Sequence, residues 1–459
     1  MAEPEALVWF RNDLRIADNP ALSEAFRAAG RVRALYIHEM HPTLRERGGA
    51  SRWWLHHSLS GLATDLAEIG VELEVEEGDP HAIILARARR DVTSGVFWNR
   101  RYGPAERAID GLIKEDLRKR GIAAESFAAN VLVEPFDMQT GAGKPYSVYT
   151  PFWKALKQRD IPAPLRRPPG HDRVRPTKGD SDYRQAAWGR KIGQYWEIGE
   201  QAARKKLDRF LDDLVERYPE DRDIPARDAT SRLSPHLAFG EISPRQVWHA
   251  ANAVGHHAPG KAGAIDKFLS ELGWRDFNYQ QLYHREDIAG VPMVEKYGRL
   301  EWREDRAGLQ AWTSGTTGIP IVDAGMRELW ETGTMHNRVR MLTASLLSKN
   351  LLIDWRKGEE WFWDTLVDAD AANNPGNWQW VAGSGLDASP YFRIFNPVTQ
   401  GEKFDPHGAY VRRWVPEVAK LPDDQVHKPW EGGGVRGYPP PLVELKATRE
   451  RALAAFKSL

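Results

Sequence analysis

The first 130 residues alternate between two spacings of hydrophobic residues. Short apolar runs, typical of buried strands, lie at Ala6–Phe10, Val32–His38, Val71–Glu77 and Val96–Asn99. Between them, segments with helical spacing lie at Asn19–Ala29, Ser51–Ile69, His81–Arg90 and Ala105–Lys119. Strands that alternate with helices predict an α/β domain with a doubly wound parallel sheet over residues 1–130. No GxGxxG motif follows the first strand, so the usual dinucleotide fingerprint is missing.

The rest of the chain divides into a connector and a helical region. Residues 131–190 follow neither spacing, and residues 159–180 are rich in Pro and Arg, which predicts a stiff, solvated connector. Residues 191–459 are mostly helical in pattern, with predicted helices at Tyr195–Tyr218, Pro244–Val254, Ala262–His284, Val322–Thr332, Arg338–Leu351 and Glu359–Leu366. We therefore expect a second, all-helical domain over residues 191–459.

Composition excludes several classes of protein. The chain has no cysteine, which excludes disulfides, cysteine-bound zinc and iron–sulfur clusters. We identify no signal peptide and no apolar run long enough to span a membrane, and we expect a cytoplasmic protein. Lys+Arg and Asp+Glu both number 64, so nucleic-acid binding would require a local basic face. The 19 tryptophans indicate ring stacking, electron transfer or an aromatic core.

Two polar clusters in the helical region are candidate sites. Helical spacing places Asn337, Arg338 and Met341 on neighbouring faces of one turn, which suits a binding site and a salt-bridged surface about equally. Asp368 and Asp370 lie two residues apart in DADAANNPGNWQW. The continuation lacks the further ligands of a calcium loop, so we expect no metal. A glycosidase carboxylate pair is an alternative, because tryptophan-rich clefts also bind sugars.

Several longer segments together resemble the photolyase/cryptochrome family. They are WRDFNYQQLYH, GIPIVDAGMREL, MHNRVRMLTASLLSKNLLIDW, DADAANN, WQW and YFRIFNPVTQGEKFD, with VWFRNDLRIADNPAL and TSRLSPHLAFGEISPRQVW earlier in the chain. The matches run in the family's order from about residue 7 to residue 415. The resemblance implies that the helical domain binds FAD in a folded-over shape and that the α/β domain has room for a light-harvesting antenna.

The resemblance also implies which residues contact FAD. It assigns a phosphate cradle to Thr230, Ser231, Arg232, Leu233 and Ser234, although a helix capping box explains the same local sequence. Further flavin contacts are implied at Tyr218, Arg340, Asp368, Asp370 and Asn373. In this interpretation Arg340 pairs with Asp368, and Asn373 faces the reactive ring nitrogen of the flavin.

The implied substrate is DNA that contains pyrimidine dimers, with the dimer flipped out of the duplex. Trp274 and Trp380 match the two stacking walls, and Glu271 matches an acid that hydrogen-bonds the dimer, which we expect to carry or share a proton. The remaining pocket lining is implied at Asn337, Arg338 and Met341, with Arg393 at the phosphate-contacting rim. Six-four photolyases carry His at the positions of Asn337 and Met341. Because neither residue is His in this chain, the resemblance favours cyclobutane dimers as the substrate. His336 should point elsewhere, since adjacent helical residues lie about 100° apart.

The resemblance also implies residues for electron transfer and for light harvesting. Trp378, Trp355 and Trp302 match the family's electron-transfer triad, from the flavin edge to the surface. Glu106 matches one antenna residue, and Trp53 and Trp54 could stack on an antenna, with core packing as the alternative. A reduced-folate pterin is favoured over a deazaflavin. The resemblance implies a carbon–carbon lyase that repairs cyclobutane dimers by electron transfer from reduced FAD under blue light. We expect a monomer to be sufficient for this chemistry. A cryptochrome-type photoreceptor is the alternative.

Overall fold

The N-terminal domain is built on a five-stranded parallel sheet. The computed structural model describes residues 4–89, 92–180, 183–184, 186–387 and 393–459. The strands are β1 Glu5–Phe10, β2 Arg31–Glu39, β3 Leu73–Gly78, β4 Thr93–Asn99 and β5 Ala123–Phe127, in the order β3-β2-β1-β4-β5. The expected doubly wound sheet is confirmed. The edge strand β5 was not predicted, because its sequence AAESF has no run of large apolar residues.

Helices cover both faces of the sheet. They are α1 Pro20–Ala28, α2 Gly49–Ala67, α3 Pro80–Arg87 and α4 Pro104–Lys119. Asn19 and Asp79 cap α1 and α3, each accepting a hydrogen bond from a backbone N–H in the first turn. Alternate residues of β1 enter different cores, with Val8 facing α1 and α2 and Trp9 facing α3 and α4. Both faces of the sheet are therefore buried, as the continuous apolar runs indicate.

The connector is more ordered than its composition predicts. It contains α5, Tyr149–Leu156, which packs on the helical domain, and α6, Ala187–Ile192, begins at its end. The Pro- and Arg-rich stretch has neither helix nor strand in its described residues, as expected. It lies along the α/β domain, where the His171 N–H donates to the Ile69 carbonyl at 3.0 Å. The sequence pattern does not predict the helix α5, and the division of the chain at residues 131–190 stays a prediction.

The helical domain contains thirteen α-helices in the described residues. They are α7 Glu200–Arg209, α8 Tyr218–Asp221, α9 Ser234–Ala238, α10 Pro244–His257, α11 Ala262–His284, α12 Arg306–Ser314, α13 Pro320–Thr332, α14 Asn337–Ser345, α15 Trp355–Thr365, α16 Asn373–Ala382, α17 Pro397–Phe404, α18 Ala409–Trp414 and α19 Leu445–Lys457. None of the described helices is long and apolar enough to cross a membrane.

Two helices predicted as continuous are interrupted. The first, predicted over Tyr195–Tyr218, begins only at Glu200, because Gly199 has a φ of 105° that no right-handed helix accommodates. It then passes through a π-helical turn at Phe210–Leu214. The second, predicted over Arg338–Leu351, changes from α14 to a π-helical turn at Leu346–Asn350. Apolar spacing does not distinguish these turns from regular helix.

The two domains pack closely around residues 236–241. The Leu14 N–H donates to the Phe239 carbonyl at 3.1 Å, and Trp54 Nε1 donates to Glu241 Oε1 at 3.1 Å. A Cβ at Gly240, which has a φ of 67°, would lie 2.0 Å from the Asn12 carbonyl oxygen. The α/β domain therefore fixes the segment that leads out of α9.

Candidate active site

The segment 230–234 enters α9 in an unusual conformation. Arg232 has a φ of 52°, in the left-handed region, and Leu233 returns to the right-handed region. Alternation of these two conformations makes successive backbone N–H groups converge on one point, which favours an anion. The Arg232 guanidinium lies 4.7 Å from the Trp196 ring centroid. Leu233 is the N-cap of α9 and has no capping side chain, so the capping-box interpretation is wrong.

The donors of this segment are available to a ligand. Within the described ranges, the hydroxyls of Thr230 and Ser231 have no hydrogen-bond partner, and neither have the backbone N–H groups of Ser231, Arg232 and Leu233. Free hydroxyl and N–H donors around a left-handed residue suit a pyrophosphate, the group that FAD would place there. The residues therefore fit the implied cofactor.

Asp368 ties the cradle to α14. Arg340 donates to both of its carboxylate oxygens, Nη1 to Oδ1 at 3.1 Å and Nη2 to Oδ2 at 2.9 Å, so the expected pair is confirmed. Ser234 Oγ donates to Asp368 Oδ2 at 2.6 Å. This network holds α9, α14 and the loop before α16 together at one place. No group of three or more His, Asp or Glu side chains suited to a metal ion occurs in the described part of the chain.

Asp370 and two asparagines form a second network at the start of α16. Asn373 donates from Nδ2 to Asp370 Oδ2 at 2.7 Å and accepts from Asn278 Nδ2 at 2.9 Å. Its neighbour Asn374 donates to the backbone carbonyl of Glu359 at 3.0 Å and to its carboxylate at 2.8 Å. Asp370 and Asn374 are each 8% exposed, so these amides are fixed within a largely buried layer.

A cleft between α11 and α16 contains both predicted stacking walls. Its lining includes Trp274 and Phe277 from α11 and Asn377 and Trp380 from α16, with Met293 and Leu386 from loops. The space at its mouth, with the adjoining open solvent, is about 280 Å³. Both indoles are partly exposed, which leaves ring surface for a ligand. The structure therefore brings Trp274 and Trp380 to one opening, as the sequence predicts.

Glu271 lies one turn before Trp274 on α11 and is held by two cations. Arg222 Nη1 forms an ion pair with Glu271 Oε1, and Lys267 Nζ lies 3.5 Å from the same oxygen. Both cations contact the same carboxylate oxygen, so the geometry gives Glu271 charged donors as partners. The expectation that Glu271 carries or shares a proton stays a prediction. Arg222 lies in none of the sequence motifs, so the sequence does not identify it as a partner of Glu271.

Residues at the start of α14 face in different directions. Asn337 is exposed and Met341 partly buried, whereas Arg338 pairs with Asp223 at 2.7 Å and lies 4.5 Å over the Phe404 ring. His336 is the N-cap, and its Nδ1 accepts from the Arg338 N–H at 3.2 Å. Burial lowers the pKa of His336 to about 4, which keeps it neutral. The side chain of His336 thus caps the N-terminus of α14.

The three predicted electron-transfer tryptophans run from the interior outward. Trp378 is 2% exposed and Trp355 is 1% exposed, while Trp302 is partly exposed. Among the described rings none of the three stacks on another, and the aromatic neighbours of Trp378 are Phe362 at 5.0 Å and Trp312 at 6.1 Å. Two buried indoles and one partly exposed indole agree with a path from a buried cofactor to solvent.

The residues suggested for an antenna make contacts within the protein instead. Trp53 and Trp54 are 1% and 0% exposed, and the rings of Trp196 and Phe239 pack against Trp54. Core packing explains both, so the suggestion that they stack on an antenna is not supported. The Glu106 carboxylate folds back over Gly103 at the start of α4.

The basic rim is exposed where it is described. Arg393 lies on the surface, 4.8 Å over the Phe395 ring. The two residues before it, Tyr391 and Phe392 of the YFRIF motif, lie outside the described residues. Exposure suits a phosphate contact and equally suits a solvated face.

Comparisons with known proteins agree with this geometry. The chain matches the family model described as DNA photolyase over residues 6–169 and that described as the FAD binding domain of DNA photolyase over residues 268–458. The deoxyribodipyrimidine photo-lyase of Agrobacterium fabrum is 46% identical, with 99% of this chain and 98% of that protein covered. The crystal structure of a bacterial class III photolyase from Agrobacterium tumefaciens has a TM-score of 0.93 and 46% identity, with 100% and 98% covered. Cryptochrome-1 of Arabidopsis thaliana is 34% identical, with 99% of this chain and 70% of that protein covered.

Proposed function

The chain belongs to the DNA photolyase family, and from this premise we propose that it is a deoxyribodipyrimidine photolyase that splits cyclobutane pyrimidine dimers in DNA under blue light. The observation that carries the proposal is the cleft walled by Trp274 and Trp380, whose lining also includes Asn278, an amide that joins the Asp370 network. An aromatic cleft beside a buried polar layer suits a flipped-out pair of bases and an adjacent cofactor.

The FAD site is formed by the cradle and the two networks beyond it. Thr230, Ser231 and the N–H groups that follow them neutralise the pyrophosphate. Arg340 and Asp368 set the position of Ser234, and through it the start of α9. When bound and reduced, FAD supplies the electron that enters the dimer under light and accepts it back after the ring is split.

The cleft binds the dimer by stacking and by one acidic group. Stacking on aromatic rings is worth about 1–3 kcal/mol per base, which offsets the cost of extruding a damaged, poorly stacked pair. The Glu271 side chain, which Arg222 holds in position one turn before Trp274, hydrogen-bonds the edge of a base. Asn337, Arg338 and Met341 on α14 are not among the residues that line the cleft, and we propose that they contact the DNA beside it. We also propose that Arg393 contacts the DNA backbone at the rim.

Trp378, Trp355 and Trp302 conduct electrons inward when the cofactor is oxidised. Trp378 and Trp355 are buried and Trp302 is partly exposed, so an external reductant reaches only Trp302 among the three. This step readies the enzyme and is separate from repair. We propose that a monomer suffices for this chemistry, and the cytoplasmic location stays a prediction.

Repair is tested by absorbance of the thymine bases in a dimer-containing oligonucleotide mixed with reduced protein. Recovery of that absorbance under blue light, and none in the dark, is expected. Trp380→Ala should reduce recovery at limiting protein, whereas Trp188→Ala, a partly exposed indole outside the cleft lining, should not. If reduced, FAD-loaded wild-type protein gives no recovery, repair is excluded and a photoreceptor role takes its place.

A second chromophore is proposed for the α/β domain, with a reduced folate favoured over a deazaflavin. The family resemblance supports it, while Trp53 and Trp54 do not contribute a free ring face. Chromophores released from purified protein by denaturation can be identified against reference compounds by absorbance and mass. FAD alone, at one molecule per chain, would remove the antenna from this proposal.

A further inference from the structure

Tyr149 lies flat against one of the two stacking walls. Its ring centroid is 3.7 Å from that of Trp274, and the two planes differ by 10°. Tyr149 is the first residue of α5, within the stretch that the sequence predicts as a connector. Phe277 packs edge-on against both rings, at 6.0 Å from Tyr149 and 5.8 Å from Trp274. A helix outside the expected FAD domain thus contributes a ring to the cleft wall.

Tyr149 is anchored at both ends. Its hydroxyl donates to the Ser270 carbonyl on α11 at 2.5 Å, and its backbone N–H donates to Asp387 Oδ2 at 3.2 Å. The side chain is buried, and burial raises the pKa of its hydroxyl, so the phenol remains a neutral donor. A ring with a fixed hydroxyl and a fixed backbone cannot swing away from its neighbour.

The close approach of α5 to α11 depends on a glycine. A Cβ at Gly273 would lie 2.6 Å from Cε3 of Trp153 and 2.8 Å from the Tyr149 hydroxyl oxygen. Both distances are shorter than van der Waals contact with these atoms. Gly273, directly before Trp274, therefore makes the space that α5 occupies.

The stack decides which face of Trp274 a ligand can use. One face of the indole is covered by Tyr149, and the ring still lines the cleft, so a base can stack only on the opposite face. The backing ring also prevents the indole from rotating about its side-chain bonds. A wall that is already fixed loses less conformational entropy when the substrate binds.

We propose that Tyr149 is a positioning residue for substrate binding, which holds Trp274 as a one-sided stacking wall for the flipped-out pyrimidine dimer. This inference rests on the proposed function, because it concerns the same cleft. It assigns to α5 a role in recognition of damaged DNA, acting through Trp274 and without contact to the cofactor.

Two substitutions separate stacking from simple filling of the core. Tyr149→Phe keeps the planar ring and loses the bond to Ser270, whereas Tyr149→Leu fills a similar space with no planar face. Affinity for a dimer-containing oligonucleotide is measured in the dark on the FAD-loaded full chain. Flavin absorbance per protein and repair yield at saturating DNA are measured alongside. Tyr195→Ala, at a partly exposed tyrosine, serves as the control.

Tyr149→Leu is expected to raise the Kd for damaged DNA about tenfold, which corresponds to about 1.4 kcal/mol, with flavin content and repair at saturation unchanged. Tyr149→Phe should restore affinity to within about threefold of wild type. Equal affinity of the Leu variant and wild type would overturn the inference, as would equal losses in both variants or a loss of flavin with the loss of affinity. Failure of the wild-type protein to bind or repair the same oligonucleotide would instead overturn the proposed function.

Discussion

At the scale of single residues, Asn373 and Asn374 are adjacent in the chain but have different surroundings. Both ends of the Asn373 amide are engaged, by Asp370 and by Asn278. Asn374 uses only its N–H groups, both on Glu359, and its carbonyl oxygen has no partner among the described residues. An open acceptor beside a buried layer is what a flavin ring N–H requires, so Asn374 competes with Asn373 for the role that the sequence assigned to Asn373.

Substitution by Asp distinguishes the two asparagines. Asn374→Asp places a carboxylate against that of Glu359, and a negative charge facing the ring disfavours a reduced, anionic flavin. We expect less fully reduced flavin during photoreduction for Asn374→Asp than for Asn373→Asp, followed by flavin absorbance under light with a chemical reductant present. A larger loss in the Asn373 variant would return the role to Asn373.

Trp378 is the innermost of the proposed electron-transfer tryptophans, and Phe is the substitution that preserves its shape best. Trp378→Phe is expected to block light-driven reduction of the oxidised flavin and to spare repair by chemically reduced enzyme. Both are measured on one preparation, by flavin absorbance and by recovery of thymine absorbance. Trp188→Phe is the matched control, since that indole is 36% exposed. Lost repair in the chemically reduced Trp378 variant would show that the indole does more than conduct electrons.

At the scale of elements, α15 and α16 approach each other over a glycine. A Cβ at Gly358 would lie 2.2 Å from Cη2 of Trp378 and 2.5 Å from Cδ2 of Leu347. Gly358→Ala is therefore expected to lower the free energy of unfolding by about 1–3 kcal/mol, because the core there has no room for a methyl group. Urea unfolding followed by circular dichroism measures this change.

The control for this substitution has the opposite expected sign. Gly111 lies on an exposed face of α4, and a Cβ there meets no atom within 4 Å. Gly111→Ala should raise the free energy of unfolding by about 0.5–1 kcal/mol, since alanine loses less backbone entropy in a helix. A destabilised Gly111 variant would mean that overlap at residue 358 is not what separates the two sites.

The start of α14 makes the stability of the fold depend on pH. The pKa of His336 is lowered from 6.5 to about 4 in the folded chain, chiefly by burial, with Arg338 and Arg340 opposing protonation and Asp223 favouring it. The unfolded chain binds the proton below about pH 6.5 and the folded chain does not, so this contribution to stability is lost as pH falls from 6.5 toward 4. At about 1.4 kcal/mol per pKa unit, the loss over this range amounts to about 3.5 kcal/mol.

His336→Asn tests this dependence. Asn caps helices well and does not titrate, so the variant should lose less stability than wild type between pH 7 and pH 5. Urea unfolding at several pH values gives the difference, in which all other titrating groups cancel. Parallel pH curves for the two proteins would exclude His336 as the source.

At the scale of the whole molecule, the domain interface contains a buried hydrogen-bonded group. Glu241, which is 0% exposed, accepts from Trp54 Nε1 on α2 and bonds His236 Nδ1 on α9 at 2.5 Å. Trp54→Phe removes one donor from a buried carboxylate, at an expected cost of about 1–3 kcal/mol. Because α9 follows the phosphate cradle, flavin release and loss of secondary structure on heating should move together to lower temperature. Flavin fluorescence and circular dichroism measure the two transitions, and a shift in only one would show that the domains unfold independently.

The sequence predicts the layers of this molecule better than the contacts between them. Strands β1 to β4 and the Arg340–Asp368 pair follow from local pattern or from motif resemblance. Strand β5 is missed because it has few large apolar residues, and the π-helical turn at Phe210–Leu214 is missed because its apolar spacing looks helical. The Tyr149–Trp274 stack joins residues 125 positions apart, and no local pattern reports such a meeting.

The position of α5 limits how the chain can be divided for protein engineering. A chimera that exchanged the N-terminal part of this chain at residue 190 would import a foreign α5 and, with it, a foreign residue behind Trp274. A junction between β5 and Tyr149 would keep Tyr149 and Trp274 in the same parent sequence. The part of the chain that we propose to bind damaged DNA thus begins near residue 149. This is earlier than the matched FAD-binding region at 268–458 suggests.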